Sequence, residues 1–240
     1  MLKKFFTLFV LFFVVFSVFF CSCSKSKENG KSGESTEKTD NGRNEDKAQY
    51  LLDGLAIGGL NINDTANGIR ARLLFPVIRN KDFKYDVKPV IVLSEEYFRA
   101  FVEKAKQKGK VDGSFHQYVI RTVFVNVYED IFSVLMQQRF KMADEKDFVE
   151  EYYSLNYRSN QKTDLSFKDV LNVNEANYKD FQGLFSGKLD RVDLKLLSES
   201  DFAFGRDSLF VFVDCGQGEG LQLKAAAPMN RAKRFVLNGR

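Results

Sequence analysis

The residues best equipped for covalent chemistry lie in Asp214-Cys215-Gly216-Gln217-Gly218-Glu219-Gly220, where an apolar run meets a glycine-rich bend. A thiol placed there is a nucleophile when a neighbouring base lowers its pKa, and glycine-rich backbone can turn successive N–H groups toward an anion. His116 is the only histidine and so the candidate base, since distance along the chain does not prevent pairing in a fold. The surrounding residues also fit plainer roles. The bend lacks the GxxxxGK spacing of a phosphate-binding loop and the GxGxxG that opens a dinucleotide-binding helix, and Leu221-Gln222-Leu223-Lys224 reads as the return strand of a hairpin. His116 beside Phe115 reads equally well as a residue of a helix start. One histidine and few cysteines do not make a zinc set. Asp144, Glu145 and Asp147, or Glu199 and Asp201, lack the ligand order of a calcium loop. The sequence predicts no cofactor and no metal site, and Cys215 with His116 and a carboxylate is the one catalytic set worth testing.

Cys21 and Cys23 belong to different chemistry. Met1, Lys3 and Lys4 form a short basic start, and Phe5 to Phe20 carries no charge, with Thr7 and Ser17 as its polar interruptions. That run is short for a membrane span, which needs roughly 20 apolar residues, and has the length of a signal-peptide core. The segment Phe19-Phe20-Cys21-Ser22-Cys23 resembles the lipobox of bacterial lipoprotein precursors: a small residue, Ser22, precedes Cys23, whereas Cys21 follows the bulky Phe20. Phe20 stands where leucine is usual. The resemblance implies cleavage before Cys23, acylation of Cys23, and an anchor in the bilayer on the exported side of a bacterial membrane. Ser24 is not the acidic residue that retains such proteins at the inner membrane of enteric bacteria, which favours the outer membrane. Cys215 would then be the one further cysteine of the mature chain, and no intramolecular disulfide could form.

The segment 24–47 has no apolar residue and mixes six basic with six acidic side chains. Such a stretch cannot bury a core and is expected to be a disordered tether. The expected organisation is therefore a signal peptide at 1–22, a lipidated N-terminus and tether at 23–47, and one folded domain at 48–240. The formal charge of +4, from 36 Lys and Arg against 32 Asp and Glu, gives no reason to expect nucleic acid. Lysines at 104, 106, 108 and 110, and basic residues at 231, 233, 234 and 240, form two local clusters that suit either solvent or anionic headgroups.

Within 48–240, residues 50–60 read as a short helix or loop entry, followed by turns at Asn61–Asp64 and Asn67-Gly68. Ile69 to Val77 and Tyr85 to Leu93 read as a strand pair, with Pro76 and Pro89 marking edges. Ser94 reads as the N-cap of a helix over 95–108. Phe115, Val119, Val123, Val127, Ile131 and Leu135 recur at intervals of four, which predicts a long helix over 115–141; the rival is a strand over Val119 to Val127, favoured by its β-branched residues. A helix over 145–155 completes a helical layer. Short helices follow at 166–171 and 175–185, then strands at Leu189 to Leu197, Ser208 to Asp214, Leu221 to Ala226 and Arg234 to Leu237. This predicts an α+β fold, a largely antiparallel sheet with a central helical layer. The aromatic face of the 115–140 segment reads first as core packing, the alternative being a groove for peptide or lipid. The function expected is that of a membrane-anchored envelope lipoprotein binding a protein or apolar ligand, the alternative being an envelope enzyme with a cysteine nucleophile.

Overall fold

The computed structural model describes residues 50–159, 164–215 and 222–237; the expected signal segment, Cys23, the tether and Gly216–Leu221 lie outside them. Five strands form one sheet in sequential order: β1 (Leu55–Asp64), β2 (Ile69–Ile78), β3 (His116–Tyr128), β4 (Ile131–Lys141) and β5 (Val149–Arg158). Three of its four ladders are antiparallel; β2 and β3 run parallel and need a crossover, which α1 (Lys88–Lys108) supplies. A second, antiparallel sheet follows: β6 (Asp201–Phe204), β7 (Ser208–Asp214) and β8 (Gln222–Pro228). It is accompanied by the short helices α2 (Phe167–Val170), α3 (Tyr178–Gln182), α4 (Leu194–Ser198) and α5 (Met229–Ala232). The class is α+β with mostly antiparallel sheets, as expected, but the described residues form no central helical layer.

The segment read as a helix over 115–141 is the β3–β4 hairpin, so the rival strand reading is the right one. Intervals of four are even, so they keep residues on one face of a strand as well as of a helix. A register shift at Val123 conceals the alternation that separates the two. Before it, His116, Tyr118, Ile120 and Thr122 are buried; after it, Val125 continues the buried face on odd numbers. Glu129, at φ 55°, makes the tight turn. The helix expected over 145–155 is β5, for the same reason.

Other corrections have local causes. Tyr85 to Leu93 is not a strand: Pro89 sits in the first turn of α1, where its missing N–H costs nothing. Ser94 is no N-cap but a buried residue inside that helix, its hydroxyl donating to the Val90 carbonyl at 2.8 Å. Residues read as a helix and turn at 50–64 contain β1. Leu189 to Leu197 contains α4, whose N-cap Asp193 accepts from the Leu196 N–H. Arg234 to Leu237 closes no sheet and makes one bridge, Val236 to Leu171. The readings at Ile69–Val77, Ser208–Asp214 and residues 222–226 stand as strands. The parallel ladder to β3 stops at Leu74, two residues before Pro76, so the proline interrupts nothing there.

One face of the five-stranded sheet is covered by α1: Val90, Phe101 and Ala105 pack on Ile69, Leu73, Tyr118, Ile120, Val134 and Met136. Part of the other face meets the three-stranded sheet through Val123, Phe124, Leu135, Ala203 and Phe212. Phe167, Phe181, Phe185, Leu209 and Val211 belong to a separate core behind that second sheet.

The two sheets are joined by side chains that take the place of a ladder. Asn156 on β5 donates to the Phe202 carbonyl at 2.7 Å and accepts from the Ser133 hydroxyl at 2.7 Å, while that hydroxyl accepts from Phe204 N–H at 2.9 Å. Asn126 donates to the Gly205 carbonyl at 3.0 Å. Along the outer edge of β5, the Gln222 amide accepts from Tyr152 N–H at 2.8 Å and donates to its carbonyl at 2.7 Å. Ser154 N–H bonds the Asp201 carboxyl, and Asn156 N–H donates to Asp164 at 2.8 Å. Burial, reinforced by the Asp164 charge, pushes the Asp201 carboxyl up to about 7.

Two outcomes follow from this joint. Asn156→Ala leaves the Phe202 carbonyl without its buried donor and the Ser133 hydroxyl without its acceptor, so chemical denaturation should show a loss of about 2–4 kcal/mol. For Asp201, the unfolded carboxyl titrates near ~3.9. Between there and about 7 the folded state keeps a proton the unfolded state has lost, so this group makes stability fall as pH rises through that window. Asp201→Asn should remove the slope: the difference in melting temperature, variant minus parent, should grow from about pH 4 through pH 8 and level off above it.

Candidate binding face

The part of the five-stranded sheet beyond the contact with β6–β8 carries a regular array of side chains, and the strand register fixes its rows. In the first, Asn63, Arg70, Gln117 and Lys141 lie side by side across β1 to β4. In the second stand Asn61, Arg72, Val119, Arg139 and Glu150. The third holds Gly59, Leu74, Arg121, Gln137 and Tyr152. Every one of these residues sits on the face opposite α1, because the residues between them, such as Ala71, Tyr118, Ile120 and Phe140, enter the helix-side core. Asn61, Asn63, Arg70 and Glu150 are exposed, and Arg72, Gln117, Val119, Arg121, Arg139 and Lys141 are half-buried. A recess of about 380 Å³ opens between Asn63, Arg70, Arg72, Gln117 and Val119.

Five cations thus share the array with one carboxylate, and several are held in fixed directions. Arg121 Nε donates to Gln137 at 2.6 Å, Gln137 donates to the Tyr152 hydroxyl at 3.1 Å, and that hydroxyl donates to Glu150 at 2.7 Å. Burial and the bond to Glu150 push the Tyr152 hydroxyl up to about 12, so it remains a donor. Arg139 Nε lies 3.7 Å from Glu150. The Arg70 guanidinium stacks 3.7 Å above the Phe115 ring, and Arg139 and Lys141 lie 5.1 and 5.4 Å from the ring of the exposed Phe148. Rings under the charged heads limit the rotamers each cation must give up on binding. The array supplies positive charge and N–H donors, and no nucleophile.

Sequence reasoning missed this face. Its traces are the alternating Arg70-x-Arg72 and Arg139-x-Lys141, two basic residues two apart on a strand. A helical reading of 115–141 distributes Arg121, Arg139 and Lys141 around a cylinder and dissolves the pattern.

The residues expected to do chemistry are placed apart. His116 is fully buried; its Nε2 lies 2.9 Å from the Gly109 carbonyl and its Nδ1 accepts from the Ala143 N–H at 3.2 Å. Both ring nitrogens are therefore occupied by backbone, with the proton assigned to Nε2. Cys215 is exposed just past β7, its sulfur 3.7 Å from the Val213 carbonyl. The two residues share no hydrogen-bond partner among those described. Asp144 and Glu145 face Lys108, at 2.9 and 3.8 Å. Among the described residues no cluster of three His, Cys, Asp or Glu could hold a metal ion. The aromatic residues of 115–140 line no helix groove: Tyr118 and Phe140 pack beneath α1 with Phe101.

No family model matches the chain, and no curated protein does. Among solved structures, a member of the DUF3298 family from Bacteroides fragilis is similar to it at 10% identity over 77% of this chain and 94% of that one, with a TM-score of 0.42. A DUF3298 family protein from Pseudomonas aeruginosa is similar at 12% identity over 78% and 96%, with a TM-score of 0.41. Likenesses of this size assign neither a family nor an activity.

The placement of His116 has a measurable consequence. With Cys21 and Cys23 replaced by serine, Cys215 is the sole thiol, and an aromatic disulfide should modify it in the folded protein without denaturant. The rate should stay within about a factor of two in His116→Asn, with folding verified by circular dichroism. A tenfold fall would instead tie the imidazole to the thiol.

Proposed function

We propose that the chain is an exported lipoprotein, held in a bacterial membrane, the outer one where two exist, by an acylated Cys23. Its folded body is a binding module rather than an enzyme. The observation that carries this reading is the sheet face where, among the described residues, Arg70, Arg72, Arg121, Arg139 and Lys141 stand in register with one carboxylate, Glu150. Concentrating like charges on one surface opposes folding, so such a face is maintained for a partner rather than for stability. Of the two ligand classes expected, protein and apolar molecule, the row of cations favours a protein, and the recess among Ile62, Asn63, Arg70, Arg72, Gln117 and Val119 offers it both polar and apolar wall. Among the described residues no helix is long and apolar enough to cross a membrane. A tether of 24 residues (24–47), at about 5–6 Å times the square root of its length, gives the body a reach on the order of 25–30 Å.

Anchor and face are tested separately. Mass measurement of protein extracted from its own membranes should give a chain starting at Cys23 with added acyl mass, and Cys23→Ala should shift the protein out of the lipid-anchored fraction. A photo-crosslinking residue placed at Val119 should capture a discrete envelope protein in cells, one placed at Arg99 on α1 should not, and Arg72→Glu with Arg139→Glu should abolish the capture. Capture equal at both positions would sink the assignment of the face.

A further inference from the structure

We infer that the occupant of this face is an extended acidic segment of a protein, with carboxylates at alternate positions, lying along β3 between the two flanking columns of cations. The inference rests on the binding-module reading and names the partner's chemistry.

The geometry comes from the register. Residues two apart on a strand are about 6.7 Å apart, so the three rows repeat at that interval. The first row offers Arg70 and Lys141 on either side of Gln117, the second Arg72 and Arg139 on either side of Val119, and the third Arg121. The flanking columns on β2 and β4 stand about two strand spacings apart, ~9.6 Å, leaving a lane over β3. An extended peptide turns alternate side chains to one side at the same ~6.7 Å interval. Carboxylates at positions i, i+2 and i+4 therefore match the three rows, while contiguous carboxylates would direct every other one away.

The choice of cation supports carboxylate recognition over diffuse attraction. The whole chain has 13 Arg and 23 Lys, yet four of the five cations of the array are Arg. A lysine-rich patch would suffice to lie on a charged bilayer. Arginine is preferred where planar, two-pronged hydrogen bonding to a carboxylate is required. The directions of these groups are also set before binding, by Gln137 under Arg121, Glu150 beside Arg139 and the Phe115 ring under Arg70. Gln117, on β3 in the floor of the lane, adds a neutral group able to bond the backbone of a segment laid over it.

The test uses the full chain in nonionic detergent and fluorescence anisotropy with a labelled peptide containing Glu-Thr-Glu-Thr-Glu. It should bind at least about tenfold more tightly than a peptide of the same composition with its three glutamates contiguous, and more weakly as salt rises. Arg72→Gln with Arg139→Gln should cost about tenfold or more, and Arg72→Lys with Arg139→Lys, which keeps the charge, should lose a large part of the same affinity. Equal affinity for the two peptides overturns the inference, as does tighter binding of a soluble polyuronate or of phosphatidylglycerol nanodiscs. If the peptide fails while the Val119 crosslink still captures a protein, the acidic chemistry is wrong and the binding reading stands; if both fail, both fall.

Discussion

Everything else in this fold depends on how the outer edge of β5 is satisfied. A sheet edge exposes a row of N–H and C=O groups that must be paired, covered or left to water. Here they are completed by the Gln222 amide and the Asp201 and Asp164 carboxyls, and the Leu165 N–H donates to the Asn156 carbonyl at 2.6 Å. The reciprocal problem, the free edge of β6, is solved by Asn156 and Ser133. Each of these bonds is individually worth only about 1 kcal/mol net, but leaving a buried partner unmade costs more than making it gains, so the joint is specified more strongly than its net energy suggests. Placing a carboxyl as buried as Asp201 in that joint couples it to pH.

Parts of this were written legibly in the sequence. Ser208 to Asp214 is a short run of aromatic and β-branched residues and is β7; Ile69 to Val77 is β2; the basic end of the segment 95–108 is the C-terminus of α1. A helix across 115–141 fits the spacing as well as a hairpin does, because intervals of four belong to both periods. What decides between them is the residue two along, and the bulge at Val123 reverses the phase there. Pro89 was equally ambiguous, since an edge strand and a helix first turn both tolerate a missing donor. The candidate face was illegible for a further reason. Its members come from all five strands, β1 to β5, and net charge, a sum over the chain, is silent about which charges end up side by side.

His116 shows the opposite failure, a residue conspicuous in sequence with a structural task in the fold. A histidine can bridge a donor and an acceptor at once, and here it ties Gly109, just beyond α1, to Ala143, just beyond β4. Those two segments adjoin the end of the crossover that makes β2 and β3 parallel. A ring fixed on both nitrogens by backbone is well suited to that task and poorly suited to moving protons. Its only claim to catalysis was that no other histidine competed with it.

Tyr152 links the joint to the face. Its backbone N–H and carbonyl are clamped by Gln222, its ring stacks on Phe212 of β7 at 5.3 Å with the Lys224 ammonium 4.1 Å from its centroid, and its hydroxyl sits between Gln137 and Glu150. From there the hydrogen bonds reach Arg121 in the third row, and Glu150 brings its carboxylate to 3.7 Å from Arg139 in the second. The three-stranded sheet therefore does more than cover the apolar part of its neighbour: it fixes the tyrosine whose hydroxyl bonds Gln137, the partner of Arg121, and Glu150, the neighbour of Arg139. Preorganisation of this kind lowers the entropy that arginine side chains would otherwise lose on meeting a partner. A binding surface built on strands owes its spacing to the sheet, and in this protein it owes its side-chain directions to the second sheet packed beside it.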